Sequence, residues 1–67
     1  MQMDSQIRDV LGSWGITWAN TVEEIHVVLC DARMENTRDH TVTSFLGKVM
    51  IDGEMMTAGE LWEALQE

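Results

Sequence analysis

Two side chains that could take part in chemistry, His26 and Cys30, lie four residues apart in the segment IHVVLC. In a helix, this spacing places an imidazole and a thiol on the same face, where they could bind a metal ion with His40 as a third ligand. A zinc site normally has three or four ligands and often a C-x-x-C pair, whereas this chain contains one cysteine. We therefore expect neither a metal nor a cofactor, and we interpret Cys30 as a buried core residue and His26 as a residue on the flank of the same helix.

The remaining residues do not indicate catalysis. A cysteine nucleophile needs a nearby base and electropositive surroundings, but Asp31 directly follows Cys30. Neighbouring carboxylates such as Glu23 and Glu24 would need a pocket in which one acts as acid and the other as base, and a chain of 67 residues leaves little room for one. The sequence also has no glycine-rich phosphate loop and no calcium-binding loop. We therefore expect a protein that is not an enzyme.

The charge of the chain restricts its partners. Twelve acidic and four basic residues give a net charge of −8, which disfavours nucleic acid and anionic membranes and favours a basic protein partner. No stretch approaches the roughly 18 apolar residues of a membrane helix, and one cysteine is typical of a reducing compartment, so we expect a cytoplasmic protein with no membrane partner. Residues 1–67 predict a single small acidic domain, which buries only about 60% of its unfolded surface and would gain stability as a homodimer.

Helix signals are clearest near the two ends of the chain. Asp4 or Ser5 can cap a first helix, which Gly15 ends because glycine readily adopts the left-handed backbone conformation. Thr57 and Glu60 form a capping box, in which each side chain bonds the backbone N–H of the other, at the start of a last helix. The sequence therefore predicts helices at both ends.

The segment TVEEIHVVLCDARME, residues 21–35, has the densest apolar content and predicts a central helix against which the others pack. Thr21 and Glu24 supply its capping box. The β-branched residues of IHVVLC could instead form a buried strand. The capping box and the helix-favouring residues DARME favour a helix that extends to Glu35.

Residues 41–56 fit two structures. Apolar residues recur at helical spacing from Val42 to Met50, whereas Gly47 and the run TVT favour a strand that turns at Asp52-Gly53 into a second strand. We expect an all-α fold of three to four short helices packed around the central helix. The alternative is an α+β fold with a β-hairpin around Asp52-Gly53.

Three segments of the chain resemble a known family. IRDVLGSWGIT, TRDHTVTSFLGK and ELWEAL, with an amphipathic helix between the first two, are similar to helix-turn-helix domains of the lambda-repressor type. The resemblance implies a short recognition helix in the major groove of DNA and, as an alternative function, a dimeric transcription regulator. The residues that it would place in the groove are Arg38, His40, Thr41, Thr43, Ser44 and Lys48.

Our leading interpretation is a small non-enzymatic regulator or inhibitor that binds a protein partner. Its size and acidity are similar to those of small viral or plasmid-borne inhibitors, whose carboxylates imitate nucleic acid phosphates and occupy a basic or nucleic-acid-binding protein. The candidate anchors for the partner are Trp18, Met55, Met56 and Trp62. The candidate steering charges are Glu60, Glu63 and Glu67. Alternatively, these carboxylates form a solvated face that serves only solubility.

Overall fold

Residues 3–67, the part of the chain that the structure describes, form three helices and a four-stranded β-sheet. In this computed structural model the elements are α1 (Ser5–Ser13), α2 (Val22–Leu29), β1 (Arg33–Asn36), β2 (Thr41–Phe45), β3 (Lys48–Ile51), β4 (Glu54–Thr57) and α3 (Ala58–Leu65). Each strand pairs antiparallel with the next along the chain. The fold is therefore α+β. The all-α prediction is wrong, and the alternative with a hairpin around Asp52-Gly53 describes the correct class.

The three helices begin at side-chain caps that the sequence predicted. Asp4 caps α1 by accepting the backbone N–H three residues further on at 3.0 Å. At α2, the Thr21 hydroxyl accepts from the Glu24 N–H at 3.2 Å and the Glu24 carboxylate accepts from the Thr21 N–H at 2.9 Å. Thr57 and Glu60 make the same two bonds at α3. Both predicted capping boxes are thus confirmed.

The first helix ends at the predicted glycine. Gly15 follows the C-cap Trp14 and has a φ of +88°. Its N–H donates to the Gly12 carbonyl at 3.0 Å, and the Ile16 N–H donates to the Leu11 carbonyl at 2.8 Å. This is a Schellman motif, in which carbonyls left free at the helix end are satisfied and the next apolar residue, Ile16, turns into the core.

The central helix is shorter than predicted. Helix α2 ends at Leu29, with Cys30 as its C-cap, and residues up to Glu35 belong to β1 and its connection. The Arg33 guanidinium donates to the Val28 carbonyl at 2.8 Å, which satisfies one of the carbonyls exposed at the helix end. Backbone pairing of β1 with β2 outweighs the weak helix preference of DARME.

Two tight turns divide residues 41–57 into three strands. Leu46-Gly47 joins β2 to β3 with φ values of +54° and +81°, and Asp52-Gly53 joins β3 to β4 with +52° and +85°. Two consecutive positive φ values are typical of type I′ turns, whose twist matches that of the strands they connect. The sequence indicated the second turn but not the first, since leucine rarely adopts positive φ.

The two faces of the sheet have different surroundings. Val42, Ser44, Val49 and Ile51 point toward the helices and are buried. The helices contribute the largest part of the same core: Ile7, Val10, Leu11, Ile25, Leu29, Ala58, Leu61, Ala64 and Leu65. The helical layer therefore covers one face of the sheet and leaves the other open. None of the described helices is long and apolar enough to cross a membrane.

Candidate protein-binding surfaces

The uncovered face of the sheet carries large apolar side chains. The strand register aligns one outward residue from each strand in a row: Met34, Thr43, Met50 and Met55. Phe45 and Lys48 pair beside this row, and Met34 and Phe45 are 66% and 59% exposed. We refer to these residues as the open sheet face: Met34, Thr43, Phe45, Lys48, Met50 and Met55. An apolar surface of this kind on a folded domain commonly marks a contact with another molecule.

The open sheet face is almost free of charge. A shallow depression of about 490 Å³ opens on it, and Lys48 is the one charged residue at the outward positions of the four described strands. The carboxylates of the sheet lie elsewhere. Glu35 on β1 and Glu54 on β4 are the two ends of the row Glu35, Val42, Ile51 and Glu54, whose side chains point toward the helical side. Charged side chains in such edge positions disfavour the addition of another strand. The face, rather than an edge, is therefore the accessible contact surface of the sheet.

A second exposed surface runs along α3. The Gln66 side chain donates to the Trp18 carbonyl at 3.0 Å, which fixes the α1–α2 connection at the end of this helix. Trp62 lies four residues before Gln66 and thus on the same side of α3. Trp18 and Trp62 are 67% and 37% exposed. We define the α3 surface as these two tryptophans with the acidic residues of α3 and of the segment that follows it: Trp18, Glu60, Trp62, Glu63 and Glu67.

The carboxylates of the α3 surface are not equivalent. Glu60 is committed to the capping box, and its bond from the Thr57 N–H holds the pKa of this carboxyl below its usual value. Glu63 is exposed on α3, and Glu67 lies beyond the last helical residue. The neighbouring cation, Arg8, donates to backbone carbonyls, including that of Glu67 at 3.0 Å. The free negative charge of this surface therefore comes from Glu63 and Glu67.

A cluster of side chains around His40 connects α1 to the sheet. The two ring nitrogens of His40 lie 2.5 Å from carboxylate oxygens of Asp52 and Asp4. Hydrogen bonds to Asp52 and then to Asp4 raise the pKa of His40 above its ordinary value. The pKa of Asp52 is lowered, first by His40 and then by the Thr41 N–H. This arrangement fixes a helix N-terminus and two loops, and the imidazole has no free nitrogen for chemistry.

The His26 and Cys30 side chains are close together, as their spacing predicted. His26 Nδ1 lies 3.8 Å from Cys30 Sγ, and both residues are exposed. The expectation that Cys30 is buried is wrong, because α2 ends at Leu29 and leaves Cys30 as an exposed C-cap. His40 does not join them because its ring is held by Asp4 and Asp52. Within residues 3–67, no group of three or more His, Cys, Asp or Glu side chains is arranged to hold a metal ion.

The four predicted anchors lie on different surfaces. Met55 belongs to the open sheet face, whereas Trp18 and Trp62 belong to the α3 surface. Met56 points toward the helices opposite Val49 and packs against the core, so it is unsuited to anchor a partner. The alternation of side chains along β4 separates these two neighbouring methionines.

The recognition helix implied by the helix-turn-helix resemblance does not form. Its residues belong to the loop before β2, to β2 itself and to β3, which form a hairpin. Ser44 is fully buried and His40 is bound to two carboxylates. The remaining candidates do not form one helical face: Arg38 is exposed in the loop, and Thr41, Thr43 and Lys48 are outward on the sheet.

The sequence analysis did not select three apolar residues of the open sheet face, Met34, Phe45 and Met50, or the exposed Leu46 in the turn beside it. Residues 41, 43 and 45, and residues 48 and 50, alternate with buried ones, which is the pattern of strands. The alternation was hidden because the outward residues are as apolar as the inward ones, so the same residues also fit a helical repeat. Comparison with known proteins found no matching protein family, curated protein or solved structure, so these surfaces are interpreted from their own geometry.

Proposed function

We propose that this chain is a small non-enzymatic regulator or inhibitor that binds a basic protein through the α3 surface. The observation that carries the proposal is the Gln66–Trp18 hydrogen bond, which places a second exposed tryptophan at the end of the helix that presents Trp62. Tryptophan is the residue type most enriched at the energetic centres of protein interfaces, because it buries a large area at a small entropic cost. Two such residues beside exposed carboxylates are suited to a partner with apolar pockets and a basic rim.

The distribution of charge supports a basic partner. The chain carries a net charge of −8, and two of its four cations are occupied within the fold. Arg8 donates to carbonyls at the end of α3, and Arg33 donates to a carbonyl at the end of α2. Within residues 3–67, the exposed Glu63 and Glu67 side chains form no salt bridge, although the Arg8 guanidinium lies beside the Glu67 carbonyl. Carboxylates in this setting accelerate association with a basic surface, such as that of a nucleic-acid-binding protein, and this effect weakens with salt.

We further propose that the protein acts in the cytoplasm. Cys30 is exposed and is the one cysteine of the sequence, so it has no partner for an internal disulfide. An exposed thiol of this kind is best tolerated in a reducing compartment.

Affinity capture with matched variants tests the proposed function. The tagged wild-type chain should retain a basic protein from a host-cell lysate after nuclease treatment and release it as salt is raised. Glu63→Lys with Glu67→Lys should abolish capture, whereas Glu35→Lys with Glu54→Lys, which makes the same change of charge at the sheet edges, should preserve it. Glu60 is left unchanged because its substitution would also remove a helix cap.

A variant without the aromatic anchor separates contact from steering. Trp62→Ala should increase the dissociation rate of the captured protein with little effect on its association rate, because burial acts after the encounter. Equal capture by the wild type and by the Glu63→Lys, Glu67→Lys variant would rule out the α3 surface. Loss of capture after nuclease treatment would instead indicate a nucleic acid ligand.

A further inference from the structure

We propose that the open sheet face joins two copies of this chain in a symmetric dimer, with the helical layers and both α3 surfaces on the outside. The occupant of the face is thus a second copy of the chain. This inference rests on the sheet alone and does not depend on the proposed function.

The charge distribution singles out this face for self-association. Two copies with a net charge of −8 each repel one another wherever their carboxylates meet. The outward positions of the four strands carry no carboxylate, and Lys48 is their one charge. Contact through this face therefore keeps the acidic residues of the two copies at the rim or farther away. A highly basic partner is less suited to the same face, because its charges would find no carboxylate there.

The row of residues across the sheet is suited to contact with itself. Met34, Met50 and Met55 are flexible side chains that adapt to an irregular partner surface, and a two-fold axis along the row would place each against its counterpart. The same axis would exchange the two ends of the face. Lys48, which pairs next to the Leu46-Gly47 turn, would then approach the opposite end of the other copy, where Asp52 lies. The Asp52 carboxylate is already bound by His40 and the Thr41 N–H, so Lys48 would gain a weak long-range attraction there and no new salt bridge.

The other route to a sheet-mediated dimer is blocked. Edge strand β1 carries Arg33 and Glu35, and edge strand β4 begins with Glu54. These charged side chains point toward the helical side of the sheet, a placement that disfavours pairing with an edge of another sheet. Contact between faces avoids these residues.

The size of the face predicts a concentration-dependent dimer. Strand β2 has five residues and the other three strands have four. Four such strands about 4.8 Å apart span roughly 19 Å by 15 Å. A standard interface covers about 800 Å² per partner, which is a large part of the 4196 Å² surface of this chain. At roughly 300 Å², the flat area of the open sheet face is well below that of a standard interface. We therefore expect a weak dimer that dissociates on dilution across the micromolar to millimolar range.

Sedimentation equilibrium of the untagged chain tests this proposal. From about 1 μM to 1 mM, the mass should rise from 7.6 kDa toward twice that value. Met55→Glu should weaken dimerisation at least about tenfold, because it places a carboxylate of each copy in an apolar contact. Ala19→Glu is the control, since it adds the same charge at an exposed residue of the α1–α2 connection, outside the open sheet face. This variant should dimerise like the wild type.

A measurement on the unsubstituted chain gives the location of the contact. With methyl-labelled methionine, the resonances of Met34, Met50 and Met55 should shift with concentration, whereas those of the core residues Met3 and Met56 should not. A wild-type chain that remains monomeric up to 1 mM would overturn the proposal. It would equally be overturned by a dimer that Met55→Glu leaves intact, or by shifts confined to other methionines.

Discussion

Gly47 packs directly against the imidazole of His26, so that a Cβ atom at position 47 would lie only 2.5 Å from His26 Nε2. The Gly47 N–H also donates to the Leu29 carbonyl at 3.0 Å. The β2–β3 turn is thereby fixed to the end of α2. This contact connects the helical layer to the sheet, and two requirements, a positive φ and the absence of a side chain, explain why glycine occupies the position.

Gly47→Ala should therefore destabilise the protein more than Gly53→Ala. Both glycines have positive φ, +81° and +85°, so each substitution incurs a backbone cost of about 1–2 kcal/mol. Only at Gly47 does the added methyl group collide with another residue, because the space beside Gly53 is open. The free energies of unfolding from urea denaturation should differ by about 0.5 kcal/mol, because the exposed His26 ring must rotate out of its packed position to make room. Equal losses in the two variants would contradict a direct contact with His26.

A stabilising substitution is expected one position earlier. Leu46 adopts a φ of +54° and is 71% exposed, so it has a strained backbone without the benefit of burial. Asn tolerates this conformation and is preferred before glycine in type I′ turns. Leu46→Asn should raise the free energy of unfolding by about 1 kcal/mol, measured by urea denaturation in dilute solution. Asp52→Asn changes the equivalent position of the other turn, but it is not a suitable control because Asp52 also binds His40. If Leu46→Asn left the stability unchanged or lowered it, the backbone at Leu46 would not be strained.

The unusual turn also explains why the fold was only partly predictable. Caps are local, since Thr21 with Glu24 and Thr57 with Glu60 need only three residues to act, and both were found in the sequence. The strand at residues 33–36 depends on pairing with β2, a partner that no local pattern reveals. The Leu46-Gly47 turn lacks the usual Asn or Asp, so β2 and β3 merged into one apolar segment that also fits a helix.

The candidate surfaces were predictable to a similar extent. Trp18 and Trp62 could be selected by residue type, but the hydrogen bond from Gln66 that relates them joins residues 48 positions apart. Met55 and Met56 looked equivalent in sequence, and only the direction of β4 shows that one is outward and the other inward. Long-range pairing therefore decides which apolar residues form the core and which form a contact surface.

The His40 cluster predicts a maximum of stability in mildly acidic solution. The folded protein raises the pKa of His40, so the stabilisation is present below about pH 6.5 and is lost as pH rises through the higher folded value. Folding lowers the pKa values of Asp4 and Asp52. The contribution of these two carboxylates to stability is therefore present above about pH 4 and is lost as pH falls through their lower folded pKa values. Thermal unfolding should therefore show the highest Tm between about pH 4 and 6.5.

Two variants test the origin of this pH dependence. His40→Gln should lower the Tm most at pH 5.5, and its difference from the wild type should narrow as pH rises toward 9 and the wild-type imidazole loses its proton. Asp4→Asn retains a side chain that caps α1 but removes the charge that faces His40. It should reduce the slope of Tm between pH 6 and 9 without loss of the helix. A wild-type Tm that keeps rising from pH 5.5 to pH 9 would contradict the raised pKa of His40.

Ser44 should contribute to stability through a buried hydrogen bond. It is the fully buried polar side chain of the described core, and its hydroxyl donates to the Asp31 carbonyl at 2.8 Å, just before β1 begins. Ser44→Ala removes the donor and leaves this carbonyl poorly satisfied, so it should lower the free energy of unfolding by about 1–2 kcal/mol. Ser13→Ala is the matched control, because the Ser13 hydroxyl also donates to a backbone carbonyl, that of Val10 at 2.6 Å, but from an exposed residue. There, water replaces the hydroxyl and the loss should stay below about 0.5 kcal/mol. Urea denaturation of both variants measures the two losses in free energy of unfolding. Similar losses would show that burial of Ser44 does not make its hydrogen bond more stabilising than the exposed one of Ser13.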